Sequence, residues 1–469
     1  MVRTLSGSLL LAFTFVAGCV SAPARPPADS ALALSTRPPS AHELAEAVNI
    51  EGHRGRLTRG ERTALLARLA AQGNSDALQR HLSAQSIYGE IDLSAHNQAR
   101  LLIDGPDTFQ AMFEAIDGAA STVMLESYIV DDQQVAQRLA ELLEKKRVAG
   151  VEVFMIYDDI GSLDTQAAYF DRLRAAGVAV CAFNPVNPLK RPGYWAISHR
   201  DHRKIVVVDR KVAFTGGINI SSVYSLGSLS RTLMSAGAER GWRDTQIELR
   251  GQAAETLDDL VRDTWRSQGC QGRLPPPAQA LESYPPGREV VQLIPSSPDD
   301  GFNRIYAMLL TAIDTAQHSV YLTMAYFAPG EEMIEALSDA ARRGVDVQLV
   351  LPSVSDFKPV MYAGQSYYGR LLEARVRIHE LQGAILHAKT AVIDGVVSTV
   401  GSSNLDWRSL TANNEVNAVV YGEDFAASMQ GMFARDVAAS HEIHLEEWRR
   451  RGPWRRFLEA AARAFEFFW

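Results

Sequence analysis

Residues 202–219, HRKIVVVDRKVAFTGGIN, are repeated as residues 387–404, HAKTAVIDGVVSTVGSSN. One constant offset of 185 residues carries His202 onto His387, Lys204 onto Lys389, Asp209 onto Asp394, Gly216 onto Gly401 and Asn219 onto Asn404, with no gap. A single His-x-Lys would fit two neighbours on the solvated face of a strand. Two copies, each followed at the same distances by an Asp and by G-[GS]-x-N, argue against coincidence. Residues two apart on a strand share a face, so His202 lies beside Lys204 and His387 beside Lys389. The apolar residues 205–208 and 392–393 run into a sheet interior, and Asp209-Arg210 and Asp394-Gly395 read as turns into a second short strand. Each hairpin then ends at glycines, where the backbone lets Asn219 and Asn404 come close to whatever the histidines hold.

The spacing suits phosphodiester chemistry. A neutral imidazole is a nucleophile or general base whose unperturbed pKa of about 6.5 lets it change role near neutral pH. A lysine beside it is a point charge for a phosphoryl oxygen. Two such pairs facing one another make a site in which one histidine attacks phosphorus and the other protonates the leaving oxygen. Lys204, Lys389, Asn219, Asn404 and Ser402 are candidates for holding the phosphoryl oxygens. This chemistry calls for no metal and no cofactor.

At these residues the chain resembles the phospholipase D superfamily, whose signature is a duplicated H-x-K-x-x-x-x-D followed by G-[GS]-x-N. The flanking text, SHRDHRKIVVVD, FTGGINI, GWRDTQIELRG, LHAKTAVIDG, VGSSNLDWRS and NNEVNAVV, looks most like the bacterial cardiolipin synthases within it. The likeness covers roughly residues 97–450. It implies an α/β fold of two similar α/β/α lobes from an internal duplication, with the active site at their interface. It also implies catalytic roles for His202, Lys204, His387 and Lys389, and it places the nucleophile in the first copy.

With 469 residues the chain is long enough for two α/β lobes and extensions. Its 46% hydrophobic and 22% charged content is that of a globular protein. The formal net charge of −8 speaks against a general polyanion binder, so no nucleic-acid partner is expected. The three cysteines are Cys19, Cys181 and Cys270. Cys19 closes MVRTLSGSLLLAFTFVAGC, whose apolar run is too short to span a membrane and reads as a secretion signal. Val16-Ala17-Gly18-Cys19 resembles a lipobox, making Cys19 the expected lipidated residue of a periplasm-facing envelope protein, at the outer rather than the inner membrane. Cys181, in the apolar GVAVCAF, is expected as a buried free thiol, not as a partner of Cys270.

The expected order is a signal at 1–19, a Pro-rich tether at 20–40 and a helical extension at 41–96. A first lobe at 97–272 (motif region 197–224), a linker at 273–288 and a second lobe at 289–440 (motif region 382–409) follow, then an amphipathic tail at 441–469. In the first lobe the pattern predicts strands at 123–130, 151–159 and 178–185 alternating with helices over 107–119, 131–149 and 166–176. The second repeats it, with strands at 290–296, 319–327, 345–353 and 376–382 and helices over 303–316, 331–343 and 368–374.

An acid follows each motif, Asp244 in GWRDTQIEL and Glu415 in NNEVNAVV. Each could return to the edge of its own hairpin and orient an imidazole, as a triad's third member does. Asp209 and Asp394, at turns, suit locking the hairpins, with direct catalysis as the other possibility. Glu126, Tyr128, Thr323 and Tyr326 sit at strand ends and either line the groove or are ordinary strand residues. In the tail, Trp454, Phe457, Leu458, Ala461, Phe465, Phe468 and Trp469 share one helical side, with Arg455, Arg456, Glu459 and Arg463 elsewhere. Such a helix either lies in a lipid interface or packs on its own protein.

The resulting expectation is a phosphatidyltransferase acting through a phosphohistidine on phosphatidylglycerol or a similar phospholipid at a membrane surface, without an obligate protein partner. The competing readings are a hydrolytic phospholipase D, a metal-independent nuclease and an inactive lipid-binding module.

Overall fold

The computed structural model describes residues 40–52, 55–71, 75–86, 91–187, 197–228, 241–277 and 287–468. The signal, Cys19 and nearly all of the tether lie outside the described residues, as does most of the linker.

The amino-terminal extension is not one helical run. Helix α1 (Ala41–Ala47) leads into strand β1 (Val48–Gly52), then helices α2 (Arg59–Ala70) and α3 (Ser75–Ser86). Ser40 and Thr58 start α1 and α2 by accepting from the Glu43 and Glu61 amides in capping boxes. Strand β1 was missed because its alternation is only five residues long; it pairs parallel with residues 91–94.

The first lobe runs β2 (Ile91–Ile103), α4 (Asp104–Asp117), β3 (Thr122–Ser127), α5 (Gln134–Val148), β4 (Glu152–Asp158), α6 (Ala167–Ala175) and β5 (Ala179–Phe183). The histidine hairpin follows as β6 (Lys204–Val208) and β7 (Val212–Gly216), then β8 (Thr245–Arg250) and α7 (Gln252–Ser267). Its sheet reads β5-β4-β3-β6-β7-β8-β2. The crossovers give parallel pairs, and the hairpin adds the antiparallel ones.

The second lobe repeats the plan. It contains β9 (Glu289–Ser296), α8 (Arg304–Thr315), β10 (Ser319–Met324), α9 (Glu331–Arg342), β11 (Asp346–Pro352), α10 (Lys358–Gln365), α11 (Tyr368–Glu373) and β12 (Arg377–Leu381). Hairpin β13 (Lys389–Ile393) and β14 (Val397–Gly401), then β15 (Asn413–Tyr421), α12 (Glu423–Ala438) and β16 (Ser440–Ile443) complete it, and α13 (Leu445–Arg449) and α14 (Pro453–Ala464) form the tail. Its sheet reads β16-β12-β11-β10-β13-β14-β15-β9.

Strand β2 serves both sheets. Its carboxy-terminal half pairs with β8, its amino-terminal half with β9 and β1. One apolar cluster spans the seam, joining Ile205, Val207 and Ile247 of the first sheet to Val392, Val400 and Val416 of the second, with α7 and α12 supplying Leu257 and Met429. Burial of that shared core fixes the lobes against one another.

The cysteine expectation is corrected. Cys181 and Cys270 form a disulfide, with Cα atoms 5.6 Å apart and 89 residues between them in sequence. Strand β5 is the sheet's edge, and the chain after α7 turns back over it: Cys270 N donates to Trp265 O at 3.1 Å, and the Trp265 ring meets Phe154 of β4 edge-on. Apolar context alone could not reveal a partner that far along the chain.

Candidate active site

Both motif histidines stand at the start of their hairpins, buried at the seam between the lobes. Two short parallel pairings stitch that seam. Residues Arg200 and Asp201, just before His202, pair with Asn413 and Asn414 of the second lobe, and His202 N donates to Asn414 O at 3.0 Å. Reciprocally, Ile385 and Leu386, just before His387, pair with Trp242 and Arg243 of the first lobe, and His387 N donates to Arg243 O at 2.8 Å.

The consequence is an exchange of carboxylates. Each acid does return to the edge of its own hairpin, through β8 against β7 and β15 against β14. Each nevertheless meets the imidazole of the other lobe. Glu415 lies 3.0 and 3.1 Å from His202 Nδ1, and Asp244 Oδ2 lies 2.8 Å from His387 Nδ1. A carboxylate on Nδ1 fixes the tautomer and leaves Nε2 as the reacting nitrogen.

The lysines lie beneath the rings. Lys204 Nζ and Lys389 Nζ donate to the carbonyls of His202 and His387, each at 2.5 Å, and Lys389 Nζ is 3.0 and 3.1 Å from the two ring nitrogens of His387. Burial pushes Lys204 down to about 7, opposed by the Glu415 charge and assisted by Lys389. It pushes Lys389 down as well, opposed by Asp244 and Glu415. Lys389 is thus near enough to bear on Lys204 and on His202, although it comes from the other lobe. Burial also lowers His202 to about 4, against the opposing pull of Glu415, so this ring is neutral at neutral pH. His387 is lowered by burial and by Lys389, with Asp244 opposing. Glu415 is held at about 2: burial alone would raise it, but His202, Lys204 and the Ser402 hydroxyl outweigh that.

Asn219 and Asn404 are buried beside this cluster. Asn219 Oδ1 accepts from Ile129 N at 3.1 Å, and its Nδ2 donates to Tyr224 Oη at 3.1 Å. The Asn404 side-chain oxygen has no hydrogen-bond partner among the described residues. The remaining candidates have other surroundings. Ser402 is not aimed at a phosphate: its hydroxyl donates to Glu415 Oε2 at 2.5 Å and accepts from Val416 N at 3.0 Å, so it steadies the acid. Asp209 and Asp394 stand at the far ends of β6 and β13 and take the structural reading. Asp209 accepts from the amides of Ala120, Ser121 and Thr122 at 2.7–2.9 Å, and Asp394 from those of His318 and Ser319 at 2.7 and 3.0 Å and from the His81 ring at 3.0 Å. Glu126 and Thr323 are both buried, and Glu126 faces Arg203 at 3.5 Å.

The tyrosines do reach the site. Tyr128 packs edge-on against His202 with ring centroids 4.9 Å apart, and Tyr326 stands 6.4 Å from His387. Two groups escaped sequence reasoning. Tyr224 Oη is 3.2 Å from His387 Nδ1, and the Trp242 ring lies 5.3 Å from the His387 ring. Neither has an aromatic counterpart in the other copy, so duplication offered no signal for them.

The family model described as "Cardiolipin synthase, PLD-like domain" matches residues 112–225 and 309–437, the two blocks that carry the motifs. Cardiolipin synthase 2 of Bacillus anthracis is 33% identical over 382 residues, which span 80% of this chain and 71% of that protein. The cardiolipin synthase of Geobacillus thermodenitrificans (strain NG80-2) is 35% identical over 381 residues, 80% of this chain and 73% of that protein. Among solved structures, the phosphatidylserine synthase of Haemophilus influenzae Rd KW20 aligns with a TM-score of 0.59 over 79% of this chain and 95% of its own, at 13% identity, a likeness of fold. With its duplicated motif, its two matching lobes and these relatives, the chain belongs to the cardiolipin synthase family of phospholipase D-like proteins.

Proposed function

We propose that this enzyme moves a phosphatidyl group from one alcohol to another through a phosphohistidine on His202. Its kinship makes it a phosphatidyltransferase of the phospholipase D superfamily, acting on phospholipids. The crossed carboxylate–imidazole pairs, each with a buried lysine, carry the mechanistic reading. With Nδ1 engaged by Glu415, neutral His202 offers its Nε2 lone pair to phosphorus. His387, whose imidazolium Asp244 favours, gives a proton to the departing alkoxide oxygen. The P–O bond to the first alcohol breaks as the P–N bond forms. In the second half-reaction His387 takes the proton of the incoming hydroxyl, the new P–O bond forms, and the P–N bond breaks. Lys204, Lys389, Asn219 and Asn404 supply charge and amide donors to the equatorial oxygens, a matter of positioning more than of covalent chemistry.

A glycerol hydroxyl of phosphatidylglycerol as acceptor gives cardiolipin; water gives phosphatidic acid. The relatives' printed activity favours the first. Quenching in denaturing detergent at mildly alkaline pH, which spares the acid-labile P–N bond, with phosphatidylglycerol labelled in the phosphatidyl phosphate is the test. Label should appear on His202, vanish in His202→Ala and persist in His387→Ala, and the lipid product should be cardiolipin. Label on His387 would exchange the two roles, and phosphatidic acid as sole product would make the enzyme a hydrolase.

The relatives are bacterial, and the chain is a membrane-associated bacterial enzyme. No helix among the described residues is long and apolar enough to cross a membrane. We assign attachment to a lipid on Cys19, at the outer membrane, on the strength of the Val16-Ala17-Gly18-Cys19 pattern. Metabolic labelling with palmitate, lost in Cys19→Ala, is the check.

A further inference from the structure

Helix α14 packs on its own protein with the wrong side for a buried amphipathic helix. Its inward residues are Ala462 and Glu459. Ala462 joins Ala328, Val360 and Ala363 in a small cluster, and Glu459 is gripped by Arg451 at 2.9–3.0 Å. Arg463 lies over the Tyr367 ring at 4.6 Å, and Tyr367 Oη bonds Glu466 at 2.9 Å, which fixes the end of the helix. The aromatic side is left in solvent: Trp454 is 69% exposed and Phe457 59%, their rings stacked 5.4 Å apart, and beyond the helix Phe467 is 59% exposed. A large aromatic patch held in water by a well-anchored helix points to a surface it meets.

Charge identifies that surface. Between residues 449 and 464 stand six arginines and one glutamate, in a chain whose net charge is −8; Arg449 and Arg463 are paired with Glu373 and Glu331 from outside the stretch. The glutamate is Glu459, buried against Arg451, and among the described residues the exposed Arg450 and Arg456 have no carboxylate partner. Aromatic rings flanked by arginines suit the boundary of an anionic bilayer, where rings enter the acyl edge and guanidinium groups stay among phosphates. The inward side of the same helix reaches toward the site. Tyr326, 6.4 Å from His387, packs on the Ala462 cluster, and its hydroxyl bonds Asp356 at 2.9 Å, two residues before α10 on which α14 rests.

We propose that the aromatic side of α14 is the surface by which this protein sits on an anionic phospholipid bilayer, presenting headgroups to the mouth of the site. The proposal rests on the reading of the substrate as a membrane phospholipid. The test uses the full-length chain carrying Cys19→Ser, so that no lipid at that position contributes, with an environment-sensitive fluorophore on Phe457→Cys. Phosphatidylglycerol vesicles should blue-shift it, phosphatidylcholine vesicles much less, and a label on Asp263→Cys, exposed on α7, should not respond. In unlabelled protein, Trp454→Ser with Phe457→Ser should lower turnover of phosphatidylglycerol vesicles by about tenfold or more and leave turnover of monomeric dihexanoyl-phosphatidylglycerol within about twofold. A 457 label that stays in water on vesicles the protein has bound overturns the proposal, as does a shift that grows with protein concentration in the absence of vesicles, the mark of a second copy on this face. If the label responds but neither lipid is turned over, the substrate reading fails and the docking surface stands. If both lipids are turned over and the label is silent, the reverse holds.

Discussion

Lys204 and His202 set how the site responds to pH. His202, lowered to about 4, is neutral above that value and available as a nucleophile. Lys204, lowered to about 7, loses its proton and its hold on phosphate as pH rises through that value. The profile of kcat/KM should therefore fall on the acid side near pH 4, and on the alkaline side first as His387, held below its usual 6.5, gives up its proton and then more steeply as Lys204 does near pH 7. In kcat the alkaline limb should sit higher, because bound phosphate restores the proton to the lysine. Lys204→Arg, always charged, should remove the second, steeper loss near pH 7 at some cost in geometry, leaving the single alkaline loss that reports His387. An unmoved limb would mean that Lys204 is not the group titrating. At this scale the sequence spoke through repetition: the histidines, lysines and the two acids were legible because a copy of each stood nearby. Ser402 was misread because a hydroxyl beside a phosphate motif looks like a donor, whereas an acid thirteen residues further on claims it.

The hairpins and their glycines carry the next level. A Cβ at Gly217 would lie 2.1 Å from Asp244 Oδ1, so the carboxylate that serves His387 occupies the space a side chain would need. Gly217→Ala should displace Asp244 and cost about two to three orders of magnitude in kcat, with a smaller loss of stability, as seen by steady-state rates beside urea melts. At the far end of the second hairpin, Asp394 is held at about 2: burial would raise it, and the His81 ring and the amides of His318 and Ser319 overcome that. Its folded value lies below the ordinary 3.8 of a free aspartate, so its contribution is present above about 3.8 and lost as pH falls through about 2. Asp394→Ala should cost about 2–4 kcal/mol near neutral pH and flatten the acid limb of the stability curve, measured by denaturant titration at several pH values. The hairpin ends were readable as turns, but not that α3 would supply His81, since nothing near that histidine marks a partner 313 residues away. Helix α10 was likewise missed: it spans only Lys358–Gln365, too short for a clear apolar period.

For the whole molecule, two long-range links matter. The Cys181–Cys270 bond ties the edge strand of the first sheet to the end of α7 across 89 residues. Replacing both cysteines by serine should lower stability by up to about 4–5 kcal/mol in the chain-entropy picture, read as a shift in the urea midpoint, with little change in kcat because neither cysteine is hydrogen-bonded to a residue of the site. The two-lobe plan was legible from alternating strands and helices and from the constant offset between motifs. The bond between cysteines was not, because pairing is a property of the folded neighbourhood. The second link is the reciprocal placement of Asp244 and Glu415. Neither half of the gene duplication retains a self-sufficient histidine: cut the chain between the lobes and each fragment keeps an imidazole but surrenders the acid that aligns it. Any loosening of the halves therefore disarms both rings together, and a partly opened molecule cannot leave a phosphorylated histidine poised toward stray water without its partner failing in the same instant.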